Sequence, residues 1–148
     1  MPFDDLLLFA NAAIDEIKSD SFTQENLAKL NAVFPPTLII AALDIIDRGN
    51  VIPYETPWGH KEYEILGSTA RYSVLLDIKS APLPYSCTCP AFIYSVLMAE
   101  THIMCKHILA TLISRRLKRS PTRPASANDL AALYTRQFPL PENRAARG

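Results

Sequence analysis

Apolar positions in the first 49 residues recur with a helical period. Between Asp4 and Ile17 they are spaced three and four residues apart, which predicts a first amphipathic helix. Thr23 has a side chain typical of an N-cap, so a second helix is predicted to follow it, with Leu27, Leu30 and Val33 as its buried stripe.

A third helix is predicted over Thr37–Asp47, because Pro35–Pro36 breaks the second helix and proline is tolerated in a first helical turn. Gly49 is its predicted C-cap. The stretch Leu38–Ile46 is apolar on nearly all sides, which is typical of a buried helix or of an interface. We expect this helix either to form part of the core or to bind a partner.

From residue 50 the apolar period shortens to two, which predicts short strands at Val51–Tyr54, Glu62–Leu66, Arg71–Ile78 and Tyr85–Cys87. Two further helices are predicted after them, at Ala91–Ala99 and Cys105–Leu117.

The last part of the chain is predicted to be more loosely organised. Ser120–Pro124 is interpreted as a linker, and Asn128 is the predicted N-cap of a final helix that ends at Gln137. The residues from Pro139 onward are polar and are expected to form a frayed tail.

Composition supports one globular domain, since the 148 residues are 49% hydrophobic and 20% charged. No apolar run approaches the roughly 18 residues of a membrane span, so no membrane association is expected. Charge is divided unevenly: the chain through Leu66 has eleven acidic and four basic residues, and the remainder has four acidic and eleven basic residues. This division indicates either two electrostatic faces or ordinary solvated surfaces of different sign.

The three cysteines of the chain lie in one window, residues 87–107, together with a histidine. The window reads Cys87-x-Cys89, fifteen residues, then Cys105-x-His107. An acidic N-terminus, unlike a secretory signal, favours a reducing compartment, where clustered cysteines are better interpreted as metal ligands than as disulfides. Three thiolates and one imidazole form a tetrahedral Zn²⁺ set without an open position for water, which predicts one structural zinc ion.

These residues admit two other interpretations. Buried free thiols beside a core histidine would need no metal. A Cys–His nucleophile pair would imply an enzyme, but no third orienting group is evident, and no phosphate-binding Gly-x-x-x-x-Gly-Lys loop occurs. We therefore expect a protein that is not an enzyme. His102, three residues before Cys105, is a competing ligand that we expect to lie in a loop instead.

One basic cluster follows the metal window. Arg115, Arg116, Lys118 and Arg119 are candidate contacts to DNA phosphates, and the segment 115–123 could make the chain a direct nucleic-acid binder. Cations at the end of a helix also interact favourably with its dipole, which is the structural interpretation of the same residues.

The pattern Cys-x-Cys, spacer, Cys-x-His resembles the SWIM zinc finger. Ala110, three residues after His107, extends the resemblance to one branch of that family, the small SWIM-domain subunits of Shu complexes. The resemblance covers about Ala42–Leu117 and includes Tyr63–Ser68 and Cys89–Phe92.

The resemblance implies a function as well as a site. It implies a heterodimer with a RecA-like recombinase paralogue, which promotes homologous recombination and double-strand break repair in the nucleus by supporting the main recombinase on single-stranded DNA. It also implies a packing role for Ala110 beside the metal.

The fold expected is α+β: a helical region at residues 1–49, then a small antiparallel sheet leading into a zinc-stapled, ββα-like SWIM module at 50–118. A linker, a C-terminal helix and the tail follow at 119–148.

Overall fold

The computed structural model describes residues 3–137, and it confirms the predicted α+β class. Three helices come first, followed by a five-stranded sheet whose last strand is separated from the others by two helices, and a final helix. The elements are α1 (Phe3–Asp15), α2 (Gln24–Asn31), α3 (Pro36–Asp47), β1 (Val51–Glu55), β2 (Lys61–Leu66), β3 (Arg71–Leu75), β4 (Ser86–Cys87), a π-helix (Phe92–Met98), α4 (Lys106–Leu117), β5 (Arg123–Pro124) and α5 (Ala127–Gln137). The predicted frayed tail from Pro139 lies outside the described residues.

Local signals in the sequence set the ends of the first three helices. Thr23 caps α2 through its hydroxyl, which accepts the N–H of Asn26, and the Asn26 side chain accepts the N–H of Thr23 in return. Pro36 occupies the first position of α3. Gly49, just beyond α3, adopts φ of +67°, a left-handed conformation in which glycine avoids the strain of a side chain.

The sheet has the strand order β4-β3-β2-β1-β5, and all its pairs are antiparallel except β1 with β5. Tyr63 of β2 lies opposite Val74 of β3, and Val74 lies opposite Cys87 of β4. Residues that pair in this way share one face of a sheet. The register therefore places Cys87 on the apolar inner face of the sheet.

Helix α4 is the central element of the core. It packs against α3, α1 and the strands β1, β3 and β4. Nine of its twelve residues are buried, among them His107, Ile108, Leu109, Ala110, Leu112 and Ile113. A helix enclosed on this many sides ties the metal window to the N-terminal helices and to the sheet.

Three predicted elements differ from the structure. The third strand ends at Leu75 rather than Ile78, because Asp77 takes φ of +58° and Ile78 N–H bonds Pro84 O at 2.9 Å in a loop. The predicted linker Ser120–Pro124 contributes β5, which pairs with β1. The last helix is capped by Ser126 rather than Asn128: Ser126 Oγ accepts the Asp129 N–H at 3.1 Å, and the Asp129 carboxylate accepts from Ser126.

The helix predicted at Ala91–Ala99 forms, but Phe92–Met98 has π-helical hydrogen bonding. Ala99 N–H bonds Tyr94 O, five residues back, at 2.9 Å. Glu100 then turns the chain with φ of +52°, and two successive N–H groups, from Thr101 and His102, bond the Ser95 carbonyl. The wider helical turn ends where the chain returns toward α4.

Part of the stretch Leu38–Ile46 belongs to the core, as one of its two interpretations predicts. Four residues of this stretch are buried against the rest of the molecule: Ile39, Ala42, Ile45 and Ile46. Ile40 is the large apolar side chain that α3 exposes, at 67%. The helix as a whole is therefore not an open apolar face. No helix within residues 3–137 is both long and apolar enough to traverse a bilayer.

Candidate metal centre

The structure brings the four predicted ligands together. The Sγ atoms of Cys87, Cys89 and Cys105 and a ring nitrogen of His107 all lie within 4.8 Å of one another, and all four residues are buried. Nδ1 of His107 is 3.8 Å from the Cys87 sulfur and 4.0 Å from the Cys105 sulfur. A tetrahedral Zn²⁺ with three sulfur ligands and one nitrogen has ligand–ligand edges of about 3.5–3.8 Å. The donor set therefore fits zinc in both chemistry and size.

Each pair of ligands is positioned by the end of a regular element. Cys87 ends β4, and the turn after it carries Cys89 back toward the same side. Cys105 is the N-cap of α4 with extended φ and ψ of −86° and 169°, so His107 lies in the first helical turn. A helix N-terminus suits a Cys-x-His pair, because residues two positions apart within a regular helix point about 200° from each other.

Backbone and hydroxyl contacts brace the turn between the first two ligands. Ser73 N–H bonds Thr88 Oγ1 at 3.0 Å, and Thr88 N–H bonds Ser73 O at 3.2 Å. Phe92 N–H points at the Cys89 sulfur at 3.4 Å. These contacts hold the Cys-x-Cys segment against β3, so the two sulfurs are oriented by the sheet rather than by the metal alone.

Aromatic packing holds the imidazole. The Tyr72 ring lies 4.5 Å from the His107 ring, centroid to centroid, at an interplanar angle of 34°. On the helix side, Thr111 Oγ1 donates to the His107 carbonyl at 2.7 Å. The sequence did not single out Tyr72 or Thr88 as neighbours of the metal. The alternating pattern of β3 could have placed Tyr72 near the metal, because Tyr72 and Val74 share a face and Val74 pairs with Cys87.

The sulfur cluster needs a cation to hold three negative charges. Hydrogen bonds from Cys105 and Cys87 lower the pKa of Cys89. Hydrogen bonds with Cys105 and Cys89, and then burial, raise the pKa of Cys87 far above its usual range. The bond between Cys105 and Cys87 pulls the pKa of Cys105 down, but its contact with Cys89 and its burial outweigh this effect and raise the pKa to about 12. Without metal one thiolate is favoured, whereas a divalent cation allows all three sulfurs to ionise.

The remaining predicted site residues have different surroundings. Ala110 is fully buried in α4, one turn after His107, which agrees with the packing role proposed for it. His102 is excluded from the ligand set, and its Nδ1 lies 3.1 Å from Thr101 Oγ1. In the π-helix Phe92 and Val96 are buried, whereas Leu97 is 53% exposed.

The basic cluster divides into two pairs. Arg115 forms an ion pair with Asp77, with Nη1 2.6 Å from Oδ2, and Arg116 donates to the carbonyl oxygens of Ile17 and Asp15 in and after α1. Lys118 and Arg119 form no ion pair within residues 3–137. The first pair is therefore engaged in contacts within the fold, and the second pair has its charge available to a ligand.

Comparison with known proteins agrees with this site. The SWIM zinc finger profile matches residues 72–116, which include all four ligands. The chain contains a structural zinc site, and the predicted cofactor is confirmed.

Similarity to curated proteins extends well beyond the finger. Zinc finger SWIM domain-containing protein 7 of Mus musculus is 34% identical over 110 residues, which are 74% of this chain and 68% of that protein. The Homo sapiens protein of the same name is 33% identical over 78% of this chain and 76% of its own length, and the Danio rerio protein is 30% identical over 75% of each. No solved structure matches this chain.

Proposed function

From the premise that this chain belongs to the zinc finger SWIM domain-containing protein 7 family, we propose that it is the SWIM subunit of a Shu-type complex. In this proposal it pairs with a RecA-like recombinase paralogue. The heterodimer promotes homologous recombination in the nucleus by helping the main recombinase to assemble on single-stranded DNA at breaks. The chain itself is proposed not to be an enzyme.

The closed ligand set is the observation that carries this proposal. Four buried protein donors fill the tetrahedron, so bound zinc would have no position for water or substrate. The metal would fix the end of β4 and the start of α4, and thereby hold the segment of residues 88–104 between them. A segment fixed in this way suits recognition of another protein better than chemistry.

The segment held by the metal exposes apolar side chains. Tyr94, Leu97 and Met98 of the π-helix are 64%, 53% and 70% exposed, and Ile93 is 44% exposed. The sequence from Thr88 to Ala99 contains no charged residue. Contiguous exposed apolar residues are typical of a protein-binding surface. We assign the paralogue-binding surface to these four residues rather than to Leu38–Ile46, the stretch for which the sequence left partner binding open.

Co-purification tests this proposal. The full chain is co-expressed with a RecA-like paralogue from the same organism, and the zinc content of the product is measured. Leu97→Asp and Met98→Asp are expected to weaken pairing by roughly tenfold or more, because each places a charge in a desolvated contact. Both variants should retain one zinc per chain, since neither residue is a ligand.

Ile40→Asp is the matched control, since Ile40 is as exposed as the π-helix residues but lies on α3. It is expected to leave pairing unchanged. Loss of pairing in Ile40→Asp alone would assign the surface to α3. Absence of a RecA-like protein from complexes formed by the unaltered chain would refute the proposed function while leaving the zinc site intact.

A second candidate function is direct binding of single-stranded nucleic acid through the segment 115–123. A cleft of about 490 Å³ favours it, with Lys61 on one wall and Lys118 on the other, and neither lysine has an ion-pair partner in the described part of the chain. The affinity of the isolated chain for oligo-dT would then fall steeply with salt, and Lys118→Ala would reduce the slope by about 0.7. No measurable affinity at low salt would remove this candidate.

A further inference from the structure

Two carboxylates are buried on the outer face of the sheet. Glu62 and Glu64 of β2 are each 1% exposed. They alternate with Tyr63 and Ile65, which face the core, so the two glutamates lie side by side on the opposite face. Acidic side chains are rarely buried to this extent unless they are paired.

Helix α5 covers these glutamates with side chains of its own. Tyr134 donates its hydroxyl proton to Oε1 of Glu62, and Nη2 of Arg136 lies 3.4 Å from Oε2 of Glu64. The sheet adds Arg71, whose Nη1 is 3.5 Å from Oε1 of Glu64.

The two carboxylate oxygens of Glu62 have different surroundings beneath α5. His60 Nε2 lies 3.0 Å from Oε1 of Glu62, the same oxygen that Tyr134 contacts. The second oxygen, Oε2 of Glu62, is buried and has no hydrogen-bond partner within residues 3–137. A buried acceptor without a donor is unfavourable. Oε2 of Glu62 can therefore accept a hydrogen bond that no side chain of α5 donates.

The attachment of α5 to the rest of the molecule is slight. Leu133 is the one residue of the helix that is buried among those with described side chains, and neither Leu133 nor Leu130 belongs to the contiguous core. Before the helix, Ala125 N–H bonds Glu55 O at 2.9 Å beside β5, and Ser126 begins α5 with its own cap. The hydrogen bond that holds β5 and the cap of α5 thus both lie before the helix, and neither would be broken by its displacement.

We infer that α5 is a displaceable cover over an acidic surface formed by Glu62 and Glu64, and that this surface binds an arginine-bearing segment of another protein. The inference goes beyond the proposed function and does not rest on it.

Charge complementarity identifies the occupant. An ionised carboxylate only accepts hydrogen bonds, whereas an arginine guanidinium presents five donors in a fork that matches it. Lifting α5 removes the positive charge of Arg136 and exposes the carboxyl groups of Glu62 and Glu64. An incoming segment with two arginines would restore that charge and could also supply the missing donor to Oε2 of Glu62.

Binding of a defined peptide tests the inference on the full, zinc-loaded chain. The probe is a fluorescein-labelled nonapeptide of alternating arginine and alanine, with glutamate in place of arginine in the control peptide. Leu133→Ser loosens α5 and is expected to raise affinity for the arginine peptide at least tenfold. Ala132→Ser, at the exposed neighbouring position, is the matched control and should bind as the unaltered chain does.

Adding Glu62→Gln to Leu133→Ser should abolish the gain in affinity. A gain that survives this change, or equal affinity of Leu133→Ser and Ala132→Ser, would overturn the inference. Hydrogen exchange of the unaltered chain gives a second measurement that needs no variant. The arginine peptide should accelerate exchange of the α5 amides and leave the α4 amides unchanged, and unaltered α5 exchange at saturating peptide would equally refute displacement.

Discussion

At the scale of single residues, the metal ligands are notable for their different backbone conformations. Cys87 is the last residue of a strand, Cys105 is an extended N-cap and His107 is helical. One zinc ion is thus bound by residues in three different backbone conformations, which the fold brings close together in space. Loss of any ligand should release a strand end and a helix start together.

Cys105→Ser tests this dependence. The variant should purify without stoichiometric zinc and without cooperative unfolding, because zinc contributes about 10–16 kcal/mol in finger peptides, and domains are stable by only about 5–15 kcal/mol. Metal analysis and thermal circular dichroism give the two readouts. His102→Ala is the control and should retain zinc, since His102 lies outside the ligand set. A zinc-free Cys105→Ser protein with an unchanged melting transition would contradict the structural role of the metal.

Ala110→Leu tests packing beside the site. Ala110 is fully buried, so three added carbons must displace neighbours in α4 and its surroundings. We expect a loss of about 1–3 kcal/mol in the free energy of unfolding, measured by urea denaturation. Ala132→Leu, on the exposed side of α5, is the matched control and should change stability by less than about 0.5 kcal/mol. Equal stability of the two variants would argue against a packing role for Ala110.

The ligands could be predicted from sequence, but their surroundings could not. Cysteine is chemically distinctive and its spacing is fixed along the chain, so Cys87, Cys89 and Cys105 were evident. The contacts of Tyr72 with His107 and of Arg115 with Asp77 join residues 35 and 38 positions apart. Such pairs depend on strand register and on the placement of α4, which no local pattern encodes.

At the scale of elements, the short helix α2 depends on its cap. Helices of eight residues are marginal in water, so the reciprocal bonds between Thr23 and Asn26 should contribute measurably. Thr23→Ala is expected to lower the free energy of unfolding by about 1 kcal/mol, as measured by urea denaturation. Thr135→Ala is the control, because Thr135 is exposed and bonds only within α5. A smaller effect for Thr23→Ala than for Thr135→Ala would contradict the cap.

Element type and order followed from the sequence more readily than element ends. Helical and alternating periods are strong over α1–α3 and β1–β2, so these elements were predicted close to their observed limits. The two-residue strand β5 gave no periodic signal, because pairing with β1 rather than propensity defines it. At α5 both Ser126 and Asn128 are good capping residues, and the bond with Asp129 decides between them.

At the scale of the whole molecule, residues from the acidic and basic halves of the sequence contact one another. Arg71 and Arg136 from the basic half contact Glu64 from the acidic half. Arg116 donates to the carbonyl oxygens of Asp15 in α1 and of Ile17 just after it, and α4 packs against α3 and α1. The two halves therefore meet across the core, and α4, which zinc anchors at its first turn, is common to both.

Metal removal should consequently unfold more than the finger. A chelator in excess at neutral pH removes the zinc that joins the start of α4 to Cys87 and Cys89. Helix α4 in turn supplies buried residues to the contacts of α1, α3 and the sheet. We expect helical circular dichroism to fall in one transition that includes the N-terminal helices, and to return when zinc is restored. Far-ultraviolet circular dichroism suits this measurement better than tryptophan fluorescence, since Trp58 is 61% exposed in the folded chain. Retention of slow amide exchange in α1 and α3 after chelation would show instead that the N-terminal helices fold without the metal.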